Sequence, residues 1–180
     1  MKKNVEIIPK GCGEKAGPLV FKVPLQKSGA ISAGMAYISS RNDDHEGKET
    51  QVRWKGTKEI LGEVISLDEF LLPRLSELTF MKCDTEGSEL FIFRGAQKIM
   101  DRFHPTVLCE INPWFLQGFG IRLSELLDFF FQRDYKFYRY HRANGTLPHL
   151  YEMDPNGVVE DNYFFIHPRF KDRFSSLEAQ

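Results

Sequence analysis

Asp84, Glu86 and Glu89 follow one another closely where the apolar run "LTFMKC" stops, and Gly87 sits among them. Another acid, Glu110, stands near the end of the next apolar run, "PTVLCEIN". A carboxylate at such a place can take a proton from a reacting hydroxyl, ligate a hard cation or cap a helix. Capping suits Asp84 and Glu86, which precede a helical pattern, and Glu86 and Glu89 fall where a helix dipole favours anions. Glu110 precedes Ile-Asn-Pro, so capping explains it poorly, and its plain alternative is a buried acid paired with a basic residue. Crowded carboxylates raise one another's pKa, which suits a base working near neutrality.

The segments that must position these acids alternate in period. "NVEIIP" (4–9), "PLVFKVPL" (18–25), "ISAGMAYIS" (31–39), "TQVRW" (50–54) and "GEVISL" (62–67) read as strands. "SLDEFLLPRL" (66–75) reads as a short helix with Ser66 as its N-cap. "ELTFMKCD" (77–84) reads as a buried strand, and Leu90, Phe93, Ala96, Met100 and Phe103 then recur at the spacing of one helix. "PTVLCEIN" (105–112) is a second buried strand and "RLSELLDFFFQRD" (122–134) a second helix. "YKFYRYH" (135–141) and "NYFFIHP" (162–168) are further strands, with 142–161 a loop or hairpin insertion and 41–49 an exposed polar loop. Strand, helix, strand, helix, strand is the mark of an open α/β sheet, mostly parallel, in one domain spanning 1–180. Ligands in such sheets bind beyond the carboxyl ends of the strands. Neighbouring strands ~4.8 Å apart would put Asp84 and Glu110 on one rim.

Composition narrows the partners. A formal net charge of −1 over 180 residues makes no case for nucleic acid or an anionic membrane. No apolar run approaches the ~18 residues of a span, and the start lacks the apolar stretch of a signal peptide. Cys12, Cys83 and Cys109 show no CxxC spacing, so a disulfide framework or zinc site is not expected and a cytoplasmic setting is. Asn144-Gly145-Thr146 reads as a turn. His104, His141, His149 and His167 are scattered without ligand spacing. A divalent ion on Asp84 and Glu86 is the less favoured alternative to acid–base work.

Two families share motifs with this chain. "MKCDTEG" and "HRANGT" imitate the D-T-E and H-x-A-x-x-D motifs of metal-dependent exonucleases, but Thr146 replaces the final Asp and a helix follows D-T-E. A broader set resembles the FkbM-type methyltransferases. "NVEIIPKGCGEKAGPLVFKVP" is similar to that family's segment around its third strand, and "VISLDEFL" to its T-L-D element. "FMKCDTEGSELFIFRGAQKIM" resembles its K-x-D-x-E-G-x-E block with the following G-A, and "HPTVLCEIN" its P-x-x-x-x-E-I strand. The order and spacing of these motifs agree from about residue 4 to residue 112, the stretch of the family's C-terminal two-thirds.

The resemblance implies a Rossmann-like class I methyltransferase sheet of order 3-2-1-4-5-7-6, apparently lacking the first two strands. It implies methyl transfer from S-adenosylmethionine to a hydroxyl of a sugar or small molecule. Asp84 would lie nearest the reaction, Glu86 would shape the acceptor site and Glu110 would stand beside them as a second acid. Gly11 and Cys12, in the turn "KGCG", would touch the cofactor. The family's glycine-rich D-x-G-x-x-x-G turn does not occur in the sequence, which makes activity of this chain alone doubtful and suggests a fragment of a longer product. Without the first strands, "LTFMKCD" becomes a bare edge, to be covered by a second copy, by a partner chain or by Val5–Ile8 moving across with its hairpin. The alternatives are a non-catalytic binding module derived from a methyltransferase and, second, an exonuclease-like metal-dependent hydrolase.

Overall fold

The computed structural model describes residues 4–42, 55–141 and 149–177. Its strands form two sheets. In the first, β2 (Gly17–Leu25) and β4 (Gly56–Ile65) pair antiparallel from Gly17↔Val64 to Leu25↔Gly56. The short β1 (Gly11–Cys12) lies parallel to the end of β4, and β3 (Tyr37–Ile38) antiparallel to β2, giving the order β1-β4-β2-β3. "GEVISL" is thus the end of a ten-residue strand, and "ISAGMAYIS" is a 3-10 turn at Ala33–Met35 followed by a two-residue strand.

The second sheet has the order β5-β6-β9-β7-β8: β5 (Phe80–Cys83), β6 (Thr106–Ile111), β9 (Asp161–Ile166), β7 (Lys136–His141) and β8 (His149–Glu152). β5 and β6 are parallel, while β6–β9, β9–β7 and β7–β8 are antiparallel. The expectation of one mostly parallel Rossmann-like sheet is therefore overturned: both sheets are mixed and mostly antiparallel. The physical reason is that side-chain periodicity reports a strand but not its direction. The last strand returns between β6 and β7, and β8 folds back on β7 as a hairpin.

Val5–Ile8 is not a strand. Val5 is 75% and Ile7 86% exposed, and pairing begins only at Gly11. Apolar alternation makes a strand only where a partner is within reach, and the hairpin of β2 and β4 does not offer one there. Nor does that hairpin cross to β5, which stays at the edge of its sheet with Phe80 48% exposed and only Cys83 buried. "ELTFMKCD" is thus a short edge strand, not a buried one.

The helix expected from Ser88 to Phe103 is two helices, α2 (Glu89–Arg94) and α3 (Gln97–Phe103), broken at Gly95-Ala96. A Cβ on Gly95 would lie 2.0 Å from the Gly13 carbonyl oxygen, so only glycine lets the chain after β1 pass this turn. The Gly95 carbonyl accepts from the Ser66 hydroxyl at 3.0 Å and from the Asp68 amide at 2.8 Å. Ser66 holds the N-cap position of α1 (Leu67–Phe70) but makes no capping bond. Asp68 instead caps α3 from a distance, accepting from the Lys98 and Ile99 amides at 2.9 Å each.

α4 (Pro113–Gly118), which periodicity did not suggest, starts on Asn112, whose side chain accepts from the Trp114 and Phe115 amides. α5 (Leu123–Phe131) buries Leu126, Leu127, Phe129 and Phe130. Phe130 stacks on Phe165 of β9 at 3.7 Å and meets Phe93 of α2 edge-on at 4.8 Å, which ties both helices to the second sheet. No helix among the described residues is long and apolar enough to cross a membrane.

Candidate active site

Cys83 pairs with Cys109 at the end of the parallel β5–β6 ladder, so Asp84 and Glu110 follow as the next residues on adjacent strands. Their carboxyls share a hydrogen bond. Lys82 donates to Asp84 Oδ2 from the same strand. That bond, with the Lys82 charge and the hydrogen bond from Glu110, holds the Asp84 carboxyl below the usual range against partial burial. Burial, then the hydrogen bond and charge of Asp84, push Glu110 up to about 7. Neither acid caps a helix.

Glu86 is half-buried and sits at φ 57°, in the left-handed region, followed by Gly87 at φ 100°. A Cβ on Gly87 would come within 2.6 Å of the Phe115 carbonyl, so α4 backs directly onto this turn. Burial raises the Glu86 carboxyl, the Arg41 charge opposes it, and the charges of Asp84, Glu89 and Glu160 add to the rise. Glu89 is 1% exposed and builds the turn from within. Its Oε1 accepts from the Thr85 amide at 2.9 Å, the Thr85 hydroxyl at 3.1 Å and the Gly87 amide at 3.2 Å. Its Oε2 has no hydrogen-bond partner among the described residues.

Asp84 and Glu86 open onto a cleft of about 700 Å³ between the two sheets, a volume within the ~300–1,000 Å³ of small-molecule sites. Asp84 and Glu86 line one side, and Gly11, Cys12, Phe21 and Tyr37 the other. The tertiary structure therefore brings together the residues expected for catalysis and for the cofactor, save Glu110, which reaches the cleft only through Asp84. Gly11 and Cys12 are not a turn but the strand β1, whose parallel pairing with β4 carries them there. Burial and the neighbouring Cys83 raise the Cys12 thiol.

Sequence reasoning missed three contributors. Lys82 lies two residues before Asp84, the spacing that puts both side chains on one face of an extended strand. Glu89 was visible as an acid but not as the ligand of its own loop. Arg41 opens the stretch expected as an exposed loop at 41–49, yet it is only 9% exposed. Asn42 is exposed, and the rest of that loop lies outside the described residues, as do "TQVRW", residues 142–148 and the Asn144-Gly145-Thr146 turn. The scattered histidines also prove partly close: His104 and His167 stack at 4.1 Å. Among the described residues no group of three or more His, Cys, Asp or Glu side chains is arranged to hold a metal ion. The D-T-E segment runs into α2, unlike the exonuclease motif it imitates.

A family model described as the methyltransferase FkbM domain matches residues 6–137, well over half of the chain. Among solved structures the chain is similar to the methyltransferase FkbM from Methylobacillus flagellatus KT, at 22% identity and a TM-score of 0.35. That likeness covers 58% of this chain and 23% of the other, so the chain spans about a quarter of that protein's length. No curated protein matches the sequence.

Proposed function

The chain belongs to the FkbM methyltransferase domain family, and from that premise we propose that its cleft serves methyl transfer from S-adenosylmethionine to a hydroxyl of a sugar or small molecule. The observation that carries this reading is the hydrogen-bonded Asp84–Glu110 pair at the mouth of the cleft that also holds Gly11 and Cys12. The cofactor is a family expectation. The cleft fits it in size and in having an apolar, aromatic wall, and Gly11, Cys12, Phe21 and Tyr37 would face its adenosine part. When bound, it supplies an electrophilic methyl group.

The chain's own residues would supply the base and the orientation. A hydroxyl is a poor nucleophile and gains reactivity as its proton is removed. Above about pH 7, where Glu110 has lost its own proton, Asp84 would receive the hydroxyl proton in the cleft and share it with Glu110; the two titrate as a pair. Lys82 keeps Asp84 ionised before the transfer. Glu86 shapes the acceptor side, and holding the acceptor in line contributes much of the remaining acceleration.

The test is calorimetric titration of the folded 180-residue chain with S-adenosylmethionine, followed by methyl-transfer assays on hydroxyl acceptors. Saturable micromolar binding and turnover lost in Asp84→Asn, indifferent to chelator, support the reading. One sequence observation favours a second reading: the D-x-G-x-x-x-G turn does not occur in these residues. A binding module would take a hydroxylated ligand without turnover. The proposal extends to the exposed β5 edge, where a second copy or another chain would add a strand. Sedimentation of the chain alone at rising concentration would reveal self-association, and a monomer throughout would leave that edge to another chain.

A further inference from the structure

One peptide unit in the cleft wall is held at both ends by buried charged side chains. The carbonyl of Glu86 accepts from Arg41 Nη1 at 2.9 Å. The amide of Gly87, in the same peptide plane, donates to Glu89 Oε1 at 3.2 Å. Arg41 is 9% and Glu89 1% exposed. The Arg41 guanidinium is also stacked, 3.7 Å from the centre of the Tyr37 ring and 4.3 Å from that of Phe115. Its chain neighbour Asn42 donates its amide to the Gly118 carbonyl at 2.8 Å, which fixes the segment against α4. Arg41 thus joins β3 of the first sheet, α4 behind the second, and the turn that carries Glu86.

We propose that Arg41 is a positioning residue of this site: with Glu89 it clamps the Glu86–Gly87 peptide and so sets where the Glu86 side chain stands in the cleft. A non-glycine residue rarely keeps the left-handed backbone of Glu86 (φ 57°) unless its surroundings over-determine it. The clamp supplies that determination. A planar, stacked fork can do this where an ammonium cannot, because lysine offers a flexible point charge and no flat face. Charge-assisted bonds at both ends of one peptide also polarise it in the same sense, so each strengthens the other. The Arg41 charge additionally favours the ionised form of Glu86. The consequence for catalysis rests on the methyl-transfer reading; the clamp itself does not.

The experiment compares Arg41→Lys and Arg41→Gln with the unchanged 180-residue chain. Two readouts are independent of turnover: hydrogen exchange at the Gly87 amide, and the titration of the Glu86 carboxyl by carbon NMR. The clamp predicts at least tenfold faster Gly87 exchange in both variants, without a matching change at core amides such as Val107. It predicts a higher Glu86 titration midpoint in Arg41→Gln, with Arg41→Lys recovering the midpoint but not the protection. Unchanged Gly87 exchange in both variants would overturn the proposal. If Arg41→Gln does not fold, Arg41→Lys decides alone on exchange. If the parent chain turns over, acceptor KM should rise about tenfold in Arg41→Lys with affinity for S-adenosylmethionine unchanged. A parent chain without turnover defeats the methyl-transfer reading and leaves the exchange result to judge the clamp.

Discussion

Asp84 and Glu110 stand side by side one residue beyond the last pair of the β5–β6 ladder, their carboxyls hydrogen-bonded and displaced in opposite directions. Glu110 rises to about 7, chiefly by burial, from an ordinary 4.5. Between those two values the folded chain holds a proton that the unfolded chain has released. Its contribution to stability is therefore full below the ordinary value and lost as pH rises through about 7. Urea midpoints at pH 5 and pH 8 should differ less in Glu110→Gln than in the parent. An unchanged difference would show that Glu110 is not the group responsible. Methyl transfer, where it occurs, should rise with pH across the same window as the pair becomes the base.

Gly87 and Gly95 carry different constraints. Alanine at Gly87 meets both a left-handed backbone, costing about 1–2 kcal/mol, and the Phe115 carbonyl at 2.6 Å, costing about 1–3 kcal/mol more. Alanine at Gly95 keeps an ordinary φ but drives its methyl into the Gly13 carbonyl, moving β1 and with it Gly11 and Cys12. Gly95→Ala should therefore weaken ligand binding in the cleft even where the protein stays folded. Thermal melts and ligand titration of both variants would separate the two effects.

Glu89 accepts three donors through one oxygen while the other has none among the described residues. Glu89→Ala leaves those three donors without their acceptor inside the protein, a loss of roughly 4 kcal/mol or more at net values of ~1.5–3 kcal/mol for each hydrogen bond to charge. Glu89→Gln keeps an accepting oxygen and should lose less. A denaturant midpoint that does not move in Glu89→Ala would mean that solvent satisfies the turn.

His167 lies against His104 at 4.1 Å, meets Tyr135 edge-on, and accepts from the Arg169 amide. Burial first, then the charges of His104 and Arg169, lower its pKa, against the pull of Asp134. A lowered histidine binds its proton more readily when unfolded, so this stability is full above about pH 6.5 and lost as pH falls toward the folded value. His167→Phe should remove that acid sensitivity, leaving only the cost of the acceptor lost to the Arg169 amide at pH 8, as followed by melting temperature across pH 5–8.

The acid rim was legible because it depends on short-range pattern. The apolar runs ending at Asp84 and near Glu110 mark strand ends, and the ladder then sets them side by side. The contribution of Arg41 was not legible: its neighbours in sequence are polar, and its burial comes from Tyr37, Phe115 and the Glu86 carbonyl, far apart along the chain. The break at Gly95-Ala96 was hidden for a similar reason. The apolar spacing runs unbroken through it, and the break is met by distant partners: Gly13 against Gly95, and Ser66 and Asp68 on the Gly95 carbonyl.

By itself the sequence determined most of the strand and helix segments around the acids, the acidic groups at the strand ends and the family to which they point. Side-chain periodicity and the order of short motifs carry that information locally. Only the tertiary structure decided strand direction, the edge position of β5, the cleft joining Gly11 and Cys12 to Asp84 and Glu86, and the clamp on Glu86. Each of these depends on which distant segment supplies the hydrogen-bond partner or the packing surface, and no local pattern encodes that choice.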